Sequence, residues 1–328
     1  MAALLYIFSL SLFLMALSSC NENNITVKTI SFPTSNINIV AIDISYKKLF
    51  TADNIKSYDV DSDNIYILQN NNITICDRLS KQLSTVEIPD NTLNNSILVT
   101  SKSKYIICGY PFILCVENGI VSRVPNYLSI LYLAYYDCRL FTVANFNSLL
   151  FKRGDILIFD EDLKYMERLE GPLNKYNLNQ SYINQLNLFA SDGVIYGYNS
   201  KLLPEIFKYD IYDYNCSIVY IKNRWMSKNG ATNYLSMLEK PIESQSGKYT
   251  LKDVNVIGKR FFSLAQDEKY MYILTFNENG IMEKAYRIVK EESTLIDNMK
   301  IVKRDDFYEI YVIRIQEECE ILCGILPI

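Results

Sequence analysis

Beyond residue 24 the chain alternates apolar and polar positions in short runs, broken roughly every five to ten residues by Asn, Asp, Ser or Gly. Ile, Val, Tyr, Phe and Thr dominate these runs, side chains that pack well on a pleated, half-buried surface. Long 3.6-residue periodicity is missing; the stretch from Trp225 to Lys240 has room for a turn or two of helix. With 11 Gly and 8 Pro, most turns fall to Asn and Asp, which tolerate left-handed backbone.

Aligning turn residues that precede an apolar strand exposes an internal repeat. Its copies are Asp63-Asn64-Ile65-Tyr66-Ile67-Leu68, Ser103-Lys104-Tyr105-Ile106-Ile107-Cys108, Asp137-Cys138-Arg139-Leu140-Phe141-Thr142, Asp192-Gly193-Val194-Ile195-Tyr196, Asp267-Glu268-Lys269-Tyr270-Met271-Tyr272 and Asp306-Phe307-Tyr308-Glu309-Ile310. They are spaced 40, 34, 55, 75 and 39 residues apart, and three of these intervals are near the length of a four-stranded propeller blade. The first unit shows the blade best: Ile55 to Val60 innermost, then Asn64 to Gln69, Ile73 to Asp77, and Leu83 to Ile88 outermost. Such a sheet buries both faces against its neighbours, so the units must stack. The last unit lacks a fourth strand, and Ile25 to Phe32, which alternates like a strand, is expected to supply it and so close the ring. The expected fold is all-β: a β-propeller of six blades, or seven if the 75-residue interval hides one, with an N-terminal strand closing the last blade.

The start of the chain follows another pattern. Leu4 to Leu17 is an uncharged apolar run that stops at Leu17-Ser18-Ser19-Cys20, ahead of Asn21-Glu22-Asn23-Asn24. It is shorter than the ~20 residues of a spanning helix. The arrangement resembles a bacterial lipoprotein signal peptide, which implies cleavage before Cys20, a lipid on that cysteine and a tether to the membrane. Ala16 and Ser18 also fit ordinary secretory cleavage, and a retained anchor is the third reading. The expected organisation is a signal peptide over 1–19, a lipid-anchored tether over 20–24, and one propeller domain over 25–328 with an insertion around 218–252. A first strand near Ile25 would leave a tether of ~14 Å at most.

The cysteine motif, the early closing strand, the segment Ile39 to Phe50 and the Asp-x-apolar-Tyr units together resemble the six-bladed β-propeller lipoproteins of Bacteroidetes, which are similar to NHL-type and TolB-like propellers. The resemblance spans about residues 17 to 328. It implies a cell-envelope protein, outer-membrane, periplasmic or surface-facing, with plain secretion as the alternative. Where such proteins often carry a Gly-Pro loop after the first blade, this chain has Ile88-Pro89-Asp90-Asn91-Thr92, and no catalytic residue carries over.

Composition narrows the chemistry. There are 33 Lys and Arg against 37 Asp and Glu, a net charge of −4 without a dense basic stripe, so nucleic acid is not an expected partner. Histidine is absent, which removes Ser-His and Cys-His nucleophiles, histidine bases and histidine metal sites. Of 8 Cys, none forms a C-x-x-C pair, so neither zinc nor a thioredoxin-type redox centre is expected. Cys108 and Cys115 flank a candidate hairpin, where either a disulfide or two buried thiols fit. No cofactor and no metal are expected. Asp59-Val60-Asp61-Ser62-Asp63 alternates acids like a calcium loop but has Asn64 and Asn70 at the places for Gly and Glu, so a solvated turn is expected. Arg153-Gly154-Asp155 spells an adhesion tripeptide, a match that arises readily by chance.

Among 26 tyrosines, Tyr132, Tyr135 and Tyr136, and Tyr209, Tyr212 and Tyr214, form clusters suited to packing between blades or to a partner. The only Trp lies in Lys222-Asn223-Arg224-Trp225-Met226-Ser227-Lys228, where Arg224 and Trp225 are the candidate ligand contacts. The expected function is a non-enzymatic module held at the membrane by its lipid and binding an envelope protein or glycan. The alternative is a carboxylate-based enzyme acting on an extracellular polymer, for which two acids would converge within about 5–10 Å.

Overall fold

The computed structural model describes residues 41–43, 46–89, 93–101, 103–144, 146–171, 187–198, 205–213, 215–220, 250–266, 270–289 and 295–328. Among these residues no helix is long and apolar enough to cross a membrane, and every regular element is a strand. Ala41–Asp43 (β1) and Tyr46–Ala52 (β2) come first. Blade 1 follows, made of Ser57–Val60 (β3), Asn64–Leu68 (β4), Asn72–Asp77 (β5) and Gln82–Glu87 (β6), within one or two residues of the sequence expectation. Blade 2 is Leu93–Ser101 (β7), Lys104–Tyr110 (β8), Phe112–Glu117 (β9) and Ile120–Pro125 (β10). Blade 3 is Ala134–Tyr136 (β11), Arg139–Val143 (β12), Ile156–Asp160 (β13) and Tyr165–Leu169 (β14). Blade 4 is Asn187–Ser191 (β15), Val194–Tyr198 (β16), Glu205–Asp210 (β17) and Cys216–Tyr220 (β18). Blade 5 is Thr250–Ile257 (β19), Arg260–Gln266 (β20), Tyr270–Phe276 (β21) and Met282–Val289 (β22), and blade 6 is Leu295–Lys303 (β23), Phe307–Ile315 (β24) and Cys319–Pro327 (β25). The result is a six-bladed β-propeller.

Period-two alternation with both faces apolar is what makes the blades stack. In β4, Ile65 and Ile67 pack toward blade 6, while Tyr66 and Leu68 pack toward blade 2. Six buried clusters result, one for each pair of neighbouring blades, the one between blades 6 and 1 included. Fully burying one such side chain contributes about 1.5–3 kcal/mol.

An N-terminal strand does close the ring, but it is β2. Tyr46–Ala52 pairs antiparallel with β25, from Tyr46 opposite Gly324 to Ala52 opposite Cys319. Ile25 to Phe32 lies outside the described residues, and the outer position assigned to it belongs to a segment about twenty residues later. The physical reason is reach, because β2 leads into blade 1 through only Asp53 to Lys56. Leu49 anchors β2 in the cluster between blades 6 and 1, and Lys48 Nζ reaches Glu320 at 3.1 Å, with Arg314 Nε on the same carboxylate at 2.6 Å. Just before it, β1 lies parallel on β22, a fifth strand on blade 5 that sequence reasoning missed.

One further expectation is corrected, and the choice left open at Cys108 and Cys115 falls to free thiols. The unit at Asp267 leads into β21, a third strand, because the turn between β19 and β20 is Gly258-Lys259, where Gly258 takes φ +58° without an acid. That slip stretched the preceding interval; the sheet count is six, and the interior of the expected insertion lies outside the described residues. The hairpin between β8 and β9 forms, but its register sets Cys115 opposite Ile106, and both thiols are free. Cys108 is buried, and that burial pushes its thiol up to about 12.

Because strands alternate direction, turns between second and third strands and the connections between blades all emerge at one face of the disc, here the connection face. First-to-second and third-to-fourth turns emerge at the other, the turn face. There a short motif recurs: Asp77 Oδ1 accepts the N–H groups of Leu79 and Lys81, Asp160 Oδ1 those of Asp162 and Lys164, and Asn277 Oδ1 those of Asn279 and Ile281. The residue three places on is left-handed each time: Ser80, Leu163 and Gly280.

Candidate functional site

Two places concentrate chemistry among the described residues. The first is the inner wall of the ring, where acids from one blade hold the next. Asp59 Oδ2 accepts the Val99 N–H of blade 2 at 2.8 Å, and Lys300 of blade 6 meets Asp59 Oδ1 at 3.0 Å. Asp253 of blade 5 accepts the Met299 N–H of blade 6 at 2.6 Å and the Tyr198 hydroxyl of blade 4 at 2.7 Å. A bulge between Asp297 and Met299, with Asn298 left-handed at φ +51°, leaves the Met299 amide available. The Tyr58 hydroxyl lies 2.8 Å from the carbonyl oxygens of both Asn298 and Tyr311, its one proton shared between them. Burial pushes the Asp253 carboxyl up, its hydrogen bonds and Lys300 only partly opposing it. For Lys300, burial works against the ammonium, yet Asp59 and then Asp253 outweigh it and hold its pKa above the ordinary value.

These contacts revise the reading of Asp59 to Asp63. Asp61 is the turn residue, accepting the N–H groups of Asp63 and Asn64 at 2.7 Å and the Tyr66 hydroxyl at 2.9 Å, whereas Asp59 points into the ring. No group of three or more His, Cys, Asp or Glu side chains converges among the described residues.

The second place is the connection face over blades 2 and 3, where exposed apolar side chains gather. Leu93 opens β7 directly opposite Tyr110 on β8; they are 71 % and 57 % exposed. After the turn, the Pro111 carbonyl accepts the Asn126 N–H, and the buried Asn126 side chain grips the Gly109 and Ile130 carbonyls and the Ile130 N–H. That frame fixes loop 126–133, from which Tyr127 and Tyr132 stand out at 85 % and 61 % exposure. The Thr142 hydroxyl donates to the Tyr132 carbonyl, tying this loop to the end of β12.

From β12 the chain enters a second built loop. The Ser148 N–H donates to the Phe151 carbonyl at 2.8 Å, and Ser148 Oγ accepts the N–H groups of Leu150 and Phe151. Phe151 is buried, so Leu149 and Leu150 at the tip project outward, Leu149 fully exposed. Asp155 locks the loop base, accepting the Lys152 and Gly171 N–H groups and pairing with Arg168 at 3.0 Å. Its 1 % exposure removes the adhesion-tripeptide reading, because that carboxylate faces no partner. Ile130, Leu133, Ala144, Phe151, Cys108 and Ile113 share one buried cluster, so the hairpin and both loops stand on a single rigid base.

Of the sequence candidates, Cys20, Arg224 and Trp225 lie outside the described residues. In the tyrosine clusters Tyr132 is exposed, Tyr135 and Tyr136 are half-buried, Tyr209 is buried and Tyr212 is exposed, while Tyr214 lies outside the described residues. The Leu149-Leu150 tip was missed, because an apolar run reads as strand wherever it falls; Asn147-Ser148 before it and Lys152-Arg153-Gly154 after it were the available turn signals.

Neither a protein family nor a curated protein matches the sequence. Solved structures do, at the level of fold. A Bacteroides fragilis protein described as exported aligns with TM-score 0.55 at 14 % identity, over 87 % of this chain and 95 % of its own. A luciferin-regenerating enzyme aligns with TM-score 0.55 at 11 % identity, over 86 % and 95 %. YCF48 bound to a D1 peptide aligns with TM-score 0.50 at 13 % identity, over 88 % and 100 %.

Proposed function

We propose that this propeller is a binding module of the cell envelope, held to the membrane by a lipid on Cys20, that docks a polypeptide through the connection face of blades 2 and 3. The observation carrying this reading is the pair of braced loops that present Tyr127, Tyr132, Leu149 and Leu150 to solvent. Contiguous exposed apolar surface on a rigid scaffold marks interaction sites. That a propeller of similar fold holds a peptide, and that another is described as exported, supports the reading. Asp59 and Asp253 are both engaged between blades, which supports binding over carboxylate catalysis. β18 ends and β19 begins on the connection face, and a contact role for Arg224 and Trp225, which lie between them in sequence, belongs to this proposal.

The test has two arms, both on the full chain. Cys20→Ala is expected to release the protein from the membrane fraction, and unchanged retention would overturn the lipid anchor. Leu149→Asp with Leu150→Asp is expected to abolish capture of envelope proteins in a pull-down while leaving the melting temperature within a degree or two, since both side chains are exposed. Equal capture by the variant would end the docking site.

A further inference from the structure

The connection face over blades 2 and 3 also carries a charge signature, and we infer from it that the partner is an extended polypeptide segment whose apolar anchors are flanked by Asp or Glu. This deepens the docking proposal above and rests on it. Within the elements that form the patch, the described charged side chains of loop 146–155 are Lys152, Arg153 and Asp155, and the hairpin turn and loop 126–133 contribute none. Asp155 is buried against Arg168 and presents nothing to solvent. The charge offered beside Leu149 and Leu150 is therefore positive, on a chain whose net charge is −4. Glu170 is exposed and precedes Gly171, which packs on Gly154 and bonds Asp155, so one acid stands near the two cations and leaves an excess of positive charge.

Arg153 adds an independent sign. Its backbone N–H is fixed by Asn147 Oδ1 at 2.8 Å, one residue before the left-handed Gly154. Its side chain is half-buried, and its Nε is shut from solvent without a hydrogen-bond partner. The buried Nε holds the guanidinium in place, and the planar fork of a half-buried arginine suits pairing with a carboxylate. The same geometry explains discrimination. A segment with Lys or Arg beside its apolar anchor would meet like charge at Lys152 and Arg153, whereas an acidic one is drawn in and oriented. Leu149 and the tyrosines supply apolar contact with little ordering cost, since their loops are already braced.

The experiment is selection of a displayed library of random twelve-residue peptides on the full chain, followed by binding of the selected peptides to variants. The expected result is enrichment of aliphatic or aromatic residues next to Asp or Glu. Selected peptides should lose binding at least tenfold on Leu149→Asp and about tenfold on Arg153→Gln, and should weaken as salt rises. Arg153→Lys should restore only part of the loss, because an ammonium lacks the fork. Peptides that depend on Leu149 but carry neutral or basic flanks, or that ignore Arg153→Gln, would overturn this inference while leaving the docking site intact. A selection yielding no peptide sensitive to Leu149→Asp would overturn the docking site itself, and this inference with it.

Discussion

Single residues on the turn face do work that composition hides. Asp77 and Asp160 each accept two backbone N–H groups in a turn whose fourth residue, Ser80 or Leu163, is left-handed without being glycine. The carboxylate compensates the backbone for that conformation, much as a cap satisfies a helix end. Asp77→Ala or Asp160→Ala is expected to cost about 1–2 kcal/mol each, comparable to losing a cap. The two losses should add within about 0.5 kcal/mol, since they sit in different, non-adjacent blades. Urea unfolding of the single and double variants measures both; strongly non-additive losses would mean that the turns act as one unit. The recurrence itself, an Asp or Asn followed by three residues of turn, was present in the sequence. It is masked because the acids that mark the repeat precede second strands, whereas these follow third strands.

At the scale of elements, the strand that closes the ring is held by charge as well as by its ladder. Burial alone would push the Glu320 carboxyl up, but Arg314 and Lys48 outweigh it and hold the carboxyl below its ordinary value of 4.5. A carboxylate depressed in the folded state contributes stability that is present above its ordinary value and is lost as pH falls through the lower folded one. Stability should therefore drop below about pH 4.5, and Glu320→Gln should flatten that limb while costing about 1–3 kcal/mol at pH 7. Lys48 is mostly exposed, so the greater share belongs to Arg314. Unfolding curves between pH 3 and 7 decide it; an unchanged acid limb in the variant would locate the sensitivity elsewhere. Most strands were legible in advance because both faces of a blade are apolar, and blade 1 was read almost residue by residue. The closing strand was misplaced because Ile25–Phe32 and Tyr46–Ala52 alternate alike, and pattern alone cannot say which of two such segments lies near enough to blade 1. The fifth unit slipped because Gly258-Lys259 makes the same turn that an acid makes elsewhere.

For the whole molecule, the two faces differ in character. The turn face carries the capping acids and scattered exposed Leu79, Ile120 and Tyr212, one to a blade, whereas the connection face over blades 2 and 3 gathers Leu93, Tyr110, Tyr127, Tyr132, Leu149 and Leu150. Sequence reasoning could not see this asymmetry, since exposure of Leu149 or Tyr127 follows from which end of the disc a connection reaches. The axial contacts were equally hidden: Asp59 looked like part of an acidic turn, yet it meets a lysine more than two hundred residues away. Those contacts and the six clusters make the ring cooperative, so removing one terminal strand should be felt everywhere. A chain cut after Gln316 lacks β25 and leaves β2 without its partner. It is expected to lose the single unfolding transition and to bind a hydrophobic dye; a sharp, merely shifted transition would show the blades to be independent.

Because β2 is made before blade 1 and its mate β25 after every other described strand, synthesis runs around the entire ring before the seam can be sewn. Until Pro327 has left the ribosome the earliest-made blades wait beside an unfinished neighbour. A polypeptide that stays unsealed until its last described strand appears keeps the flank of its first blade uncovered through most of its synthesis.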